Sequence, residues 1–183
     1  MGLGPAEMAG RMTSGESEAT EPMPNGESAP RYKIPRSVLV VIHTPALEVL
    51  LMERARWPGY WQSVTGSLDH DGEPWRETAI REVAEETGID ATRHVLVDWG
   101  IENRYEIFQQ WRSRYGPGVT HNTEHVFGLT VPAPMPVRLS AKEHGDYLWL
   151  PYAEAAAKCF SWTNRDAILM LPERLRHTAR YGA

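Results

Sequence analysis

The sequence predicts an α/β fold, a mixed β-sheet with helices on both sides. Three observations predict it. Strand-like runs outnumber helical ones. The helical runs are separated by blocks of strands. The chain, at 183 residues, is long enough to bury one core of ordinary size.

The elements follow in order. Residues 37–42 are a continuous apolar, β-branched run, the pattern of a buried strand. Thr44-Pro45-Ala46 turns the chain, and residues 49–52 form a second strand. Residues 54–59 are a loop, and 60–65 a short strand running into Gly66. Residues 66–89 then read as loop, helix, loop. Asp71-Gly72 is a turn signal. Pro74 fits a first helical position, where its missing N–H costs nothing. Gly88 fits a left-handed C-cap, with Ile89 as the apolar contact beyond it. Residues 95–97, 105–108 and 125–131 are further strands, and Pro132, Pro134 and Pro136 break the chain. Residues 147–150 are the last strand. Helices are expected over 154–158 and 164–175, the second with its start signal at Thr163-Asn164 and Asp166.

The helix in 74–87 has two faces at 3.6 residues per turn. Ile80, Val83, Ala84 and Thr87 form an apolar stripe. Glu82, Glu85 and Glu86 fall together elsewhere. Like charges at this spacing cost about 0.2–0.5 kcal/mol per pair. Arg81 relieves Glu85 only in part. A hard divalent cation, Mg²⁺ or Mn²⁺, would relieve all three. Glu85-Glu86 alone reads as a solvated surface face.

The wider pattern reverses that reading. Gly66, Glu73, Arg81, Glu82, Val83, Glu85, Glu86, Gly88 and Ile89 resemble the signature box of the Nudix hydrolases. From Glu73 onward the match is complete. Six residues rather than five separate Gly66 from Glu73, and the extra one falls in the turn 69–72, where insertions are cheap. The resemblance implies a Nudix-type α/β/α sandwich and a metal-dependent pyrophosphohydrolase. It implies Glu82 and Glu86 as metal ligands and catalytic residues with Glu85 alongside, and an Arg81–Glu73 ion pair that locks loop to helix. Glu143, before the last strand, is the implied additional metal ligand or base.

Segments outside the box resemble a narrower family, the bacterial dihydroneopterin triphosphate diphosphatases. They are residues 61–67, 106–108, 114–124 and 161–168. By position in that family, Lys33, Arg54, Thr65, Tyr105, Glu106, Ile107, Phe108 and Ser161 fall at substrate-contacting places. Taken singly, Lys33 reads as a surface lysine, Thr65 as a strand residue and Phe108 as core. The implied reaction yields dihydroneopterin monophosphate and pyrophosphate in folate synthesis. The alternatives are a Nudix hydrolase of dATP or a damaged nucleotide, and a non-catalytic nucleotide-sensing module. The intact box acids argue against the last.

Composition bounds the rest. Net charge is −5, and residues 1–30 hold Glu7, Glu16, Glu18, Glu21 and Glu27 against Arg11 alone. No basic patch points to a nucleic-acid polymer, so the expected partner is a small triphosphate. Residues 1–30 lack Phe, Trp and Tyr, and they read as a disordered tail ahead of a domain at 31–183. A start at Met12 or Met23 is an equal alternative. Cys159 is the single cysteine, so no intrachain disulfide forms. No apolar run approaches the roughly 20 residues of a membrane span. The expectation is a cytoplasmic protein of open oligomeric state.

Overall fold

A computed structural model describes residues 32–181, with side chains described to Arg176. The tail expected over 1–30 lies outside the described residues.

The central strand is β1 (Arg36–His43), in which every residue from Ser37 on is buried. It needs apolar side chains on both faces, which explains its unbroken run. After a turn in which Leu47 takes a positive φ of 63°, β2 (Glu48–Arg54) returns antiparallel. Two short strands follow, β3 (Trp61–Gln62) on β2 and β4 (Val64–Ser67) on β1. The sheet is therefore forked. β1 meets β2 at its His43 end and β4 at its Ser37 end.

Helix α1 (Trp75–Thr87) follows. It begins one residue later than expected. Pro74 is its N-cap, with extended ψ of 134°, and its carbonyl accepts from Glu77 and Thr78. Gly88 is the left-handed C-cap at φ 71°. The stripe expected from Ile80, Val83, Ala84 and Thr87 is corrected. Ala84 is exposed, and the buried face is Thr78, Ala79, Glu82, Val83, Glu86 and Thr87. Two of the acids thus point inward.

β5 (Val95–Glu106) is one long strand where two short ones were expected. Its register shifts between Asp98 and Ile101, where Gly100 takes φ 64°. That bulge hides the alternation from a sequence reading. Ile107 and Phe108 lie beyond the strand, before a 3₁₀ turn over Gln109–Arg114. β6 (His121–Thr130) starts earlier than expected and runs parallel to β1 from Arg36↔Thr123 to His43↔Thr130. β7 (His144–Pro151) pairs with β2. Helices α2 (Tyr152–Lys158), α3 (Trp162–Leu169) and α4 (Leu171–Tyr181) close the chain. The helix expected over 164–175 is two helices. Pro172 has no N–H to continue the first ladder and clashes with it, so the axis breaks at Met170. The start signal expected at Thr163-Asn164 is Ser161, whose hydroxyl accepts from the Asn164 N–H.

The sheet separates two cores. On one face Val38, Val40, Phe127 and Leu129 pack against Ala79 and Val83 of α1. On the other, Leu39, Val41 and Val126 pack against Ala155, Ala156, Ala167 and Ile168 of α2 and α3. The expected α/β/α sandwich with a mixed sheet is present. Among the described residues no helix is long and apolar enough to cross a membrane.

Candidate active site

Arg81 organises the acidic end of the site. Its guanidinium reaches Glu73 at 3.2 Å, Glu82 at 2.8 Å, Glu85 at 3.4 Å and the Ser67 carbonyl at 2.9 Å. Glu73 also accepts from the Asp69 N–H at 2.6 Å, so the loop with the extra residue is tied to α1. Burial pushes the Glu73 carboxyl up, but Arg81 and the Asp69 N–H outweigh it and hold the carboxyl below its ordinary range.

Gly66 is required by contact. A Cβ there would stand 1.7 Å from the Glu82 carboxyl carbon. The loop insertion leaves this approach intact. Glu82 is 8% exposed, and burial, then the neighbouring Glu86 charge, pushes its pKa up to about 7. Glu86 is more deeply buried and is also raised, by burial first and then against the pull of His144. Its Oε2 lies 3.4 Å from the Thr65 N–H.

The segment before β7 completes the cluster. The Arg138 and Ser140 N–H groups donate to the Thr87 and Glu86 carbonyls, the free carbonyls at the end of α1. The segment therefore passes beside the helix end and delivers Glu143 and His144 to Glu86. Ligand atoms of Glu86, Glu143 and His144 all lie within 4.8 Å of one another. His144 Nε2 is 3.3 Å from Glu86 Oε2. Glu82 stands outside this group, held by Arg81, and Glu85 points outward with its side chain 59% exposed. Carboxylate oxygens gathered in this way fit a hard divalent cation.

Next to this cluster lies a cleft of about 550 Å³. Lys33, Arg54, Thr65 and Ser161 line it, as do Tyr105, Glu106, Ile107 and Phe108. Thr65 accepts from Gln62, which in turn accepts from Arg54 at 3.1 Å. The Arg54 guanidinium also lies 4.8 Å from the Trp111 ring centre. Desolvation, then Arg114, lowers the pKa of both Lys33 and Arg54, while Glu143 pulls both back up. Arg54 stands opposite His144 across β2 and β7, and both cations share the cleft with Thr65 and Gly66, the residues against Glu86 and Glu82. Tyr105 is half-buried, desolvation raises its pKa, and its hydroxyl accepts from Asn122. Glu106 turns its carboxylate out to Arg112. Ile107 is buried, and Phe108 stands at the rim, 47% exposed. Ser161 has a structural duty as the α3 N-cap.

The sequence reading missed His144, Gln62, the rings of Trp111 and Phe160, and Glu124. For Glu124 the signal appears only once β6 is known to begin at His121 rather than at 125. A carboxylate in mid-strand, two residues before the buried Val126 on the same face, is rare without a purpose.

Residues 33–171 match the NUDIX domain. The chain belongs to the Nudix family. This Nudix chain is 44% identical over 140 residues to the dihydroneopterin triphosphate diphosphatase of Escherichia coli, covering 75% of this chain and 91% of that one. It is 38% identical over 141 residues to the enzyme of the same name from Haemophilus influenzae, covering 75% and 87%. The solved structure of the E. coli dihydroneopterin triphosphate pyrophosphohydrolase matches with a TM-score of 0.72 at 42% identity, over 78% of this chain and 98% of that chain. The fold places the Nudix box on β4, α1 and the loop between them, so Glu82, Glu85 and Glu86 lie along one helix while Glu73 stays in the loop.

Proposed function

We propose that this Nudix enzyme hydrolyses dihydroneopterin triphosphate to dihydroneopterin monophosphate and pyrophosphate, in the cytoplasm and with Mg²⁺ or Mn²⁺. The observation that carries the proposal is the cleft itself. It brings two cations, Lys33 and Arg54, together with the aromatic rings of Phe108, Trp111 and Phe160, and Arg54 stands opposite His144 of the acidic cluster across β2 and β7. A triphosphate with a flat ring needs both kinds of group. The names of the relatives at 38–44% identity support the substrate.

Glu82, Glu86 and Glu143 would hold the cation, with Glu82 turning from Arg81 to reach it. Bound there, a divalent cation supplies charge neutralisation and lowers the pKa of a water. Lys33 and Arg54 bind phosphate oxygens and fix the chain of phosphates against the cluster. Phe108, Trp111 and Phe160 hold the ring and exclude water from the reacting end. Glu143, within 4.8 Å of Glu86 and His144, would complete the metal site or accept the nucleophile's proton.

The test is incubation with Mg²⁺ in ¹⁸O-labelled water, followed by phosphorus NMR. Pyrophosphate and a monophosphate are expected, with label in only one of them. Stepwise release of inorganic phosphate would reject the reaction. Glu86→Gln is expected to lower kcat by at least about 10²-fold.

A further inference from the structure

The sheet face that packs on α2 and α3 changes character at the cleft. Leu39, Val41 and Val126 are apolar and buried. At the next position along the strands, Ser67, Ser37, Glu124 and Asn103 stand in register across β4, β1, β6 and β5. Residues opposite one another across a ladder share a face. The four side chains are therefore one polar row, and Ser37, Ser67 and Glu124 line the cleft.

Glu124 is the anomaly in that row. It is 2% exposed and forms no ion pair among the described residues. Thr163, Asn103 and Tyr105 surround it with neutral hydrogen-bonding groups, and its Oε1 has no hydrogen-bond partner among the described residues. A buried carboxylate without a cation is costly, and the strand has no use for it, since Val126 fills the same face with an apolar side chain. The same cleft is lined by a cluster of aromatic rings. Phe108 and Trp111 are 5.2 Å apart edge to face, and Phe160 is 6.1 Å from Trp111. A flat heterocycle can lie against this aromatic cluster in the cleft that Glu124 also lines.

We propose that Glu124 sets the specificity of the cleft by accepting two adjacent N–H donors from the edge of the bound ring, the N3–H and 2-amino pair of a 2-amino-4-oxo pyrimidine. An ionised carboxylate only accepts, and two parallel donors match its two oxygens. The pterin of the proposed substrate carries that pair, and so does guanine. Adenine presents one donor beside an acceptor, and the acceptor would face a carboxylate oxygen with no hydrogen between them. A site built to pair with donors rejects a ring that lacks them, by as much as about 10⁴-fold. The inference rests on the pterin triphosphate reading for its natural ligand, and its test separates the two.

Glu124→Gln keeps the shape and turns one acceptor into a donor, the complement of the adenine edge. kcat/KM is measured for dihydroneopterin triphosphate, dGTP and dATP, in wild type and variant at one Mg²⁺ concentration, with melting curves on the same samples. The pterin-to-adenine ratio is expected to fall by at least about 10²-fold in the variant, with dATP turnover retained or improved. Equal losses on all substrates, or an unchanged ratio, would overturn the assignment and leave the pterin reading standing. A wild-type enzyme that ignores dihydroneopterin triphosphate, cleaves dGTP, and loses its dGTP-to-dATP preference in the variant would reject the pterin reading and sustain the assignment. Should Glu124→Gln fail to fold, the wild type decides. A substrate analogue without the 2-amino group is expected to lose at least about tenfold in kcat/KM. Equal turnover of the analogue would overturn the role given to Glu124.

Discussion

At the scale of single residues, the acidic end of the site is held by two close contacts of Glu82. Its carboxylate rests on Gly66, and Arg81 fixes it from the other side. Gly66→Ala leaves no room for that carboxylate. The displaced group is the tip of a flexible side chain, so the fold is expected to survive with a Tm change of a few degrees at most. Metal affinity and kcat are expected to fall, kcat by about 10²-fold, because an electrostatic element of the site is lost. Titration with Mn²⁺ and a melting curve separate the two effects. Glu82 and Glu124 also dictate a pH dependence. Both carboxyls are raised to about 7 by burial, well above their unfolded value. The folded chain therefore holds their protons more tightly than the unfolded chain does. The resulting stability is present below the unfolded pKa and is lost as pH rises through about 7. With a chelator present, Tm is expected to be lower at about pH 8 than at about pH 5, and Mg²⁺ at about pH 8 is expected to recover part of the difference. A metal-free Tm that climbs across this interval would contradict the burial of these acids.

At the scale of elements, legibility followed locality. The limits of α1 were readable to one residue, because Pro74 and Gly88 act on their own backbone. Its apolar face was misread, because the buried face includes Glu82 and Glu86, which any hydropathy pattern assigns to solvent. The Gly100 bulge concealed the length of β5, and Pro172 divided what periodicity ran together. Helix α3 shows a site residue with two duties. Ser161 lines the cleft and caps the helix, its hydroxyl accepting from the Asn164 N–H at 3.3 Å and from the Asn164 amide at 3.0 Å. Asn164 in turn accepts from the Ser63 N–H at 2.7 Å, fastening α3 to the chain beside β4. Ser161→Ala is expected to cost about 1 kcal/mol, a Tm loss of roughly 2–4 °C. KM is expected to rise more than kcat falls. A variant with the lowered Tm and an unchanged KM would make Ser161 a cap alone.

At the scale of the whole molecule, the site is assembled from distant parts of the chain, and this limited what the sequence disclosed. The box was legible as a motif, whereas His144 joins it through the path of residues 138–144 past the end of α1. Glu124 joins the cleft through strand pairing alone. The tight fit of the sheet offers a control variant away from the site. A Cβ on Gly128 would stand 2.6 Å from the Trp99 ring nitrogen, so Gly128→Ala is expected to destabilise by about 1–3 kcal/mol. Its folded fraction is expected to retain wild-type kcat. The forked attachment of β1 has a consequence for how the protein forms. One edge of β1 is met by β2 and β4, which arrive soon after it in the chain, while the other waits for β6. Asn122 of β6 bonds Ser37 of β1 across 85 residues. Closing so long an excursion into a parallel pair is slow. During refolding from denaturant, the early intermediate is therefore expected to carry the box helix without a cleft floor. Recovered activity should lag the return of helical circular dichroism. In that interval the open edge of β1 is available to other chains, so the yield of active enzyme should fall as protein concentration rises during refolding.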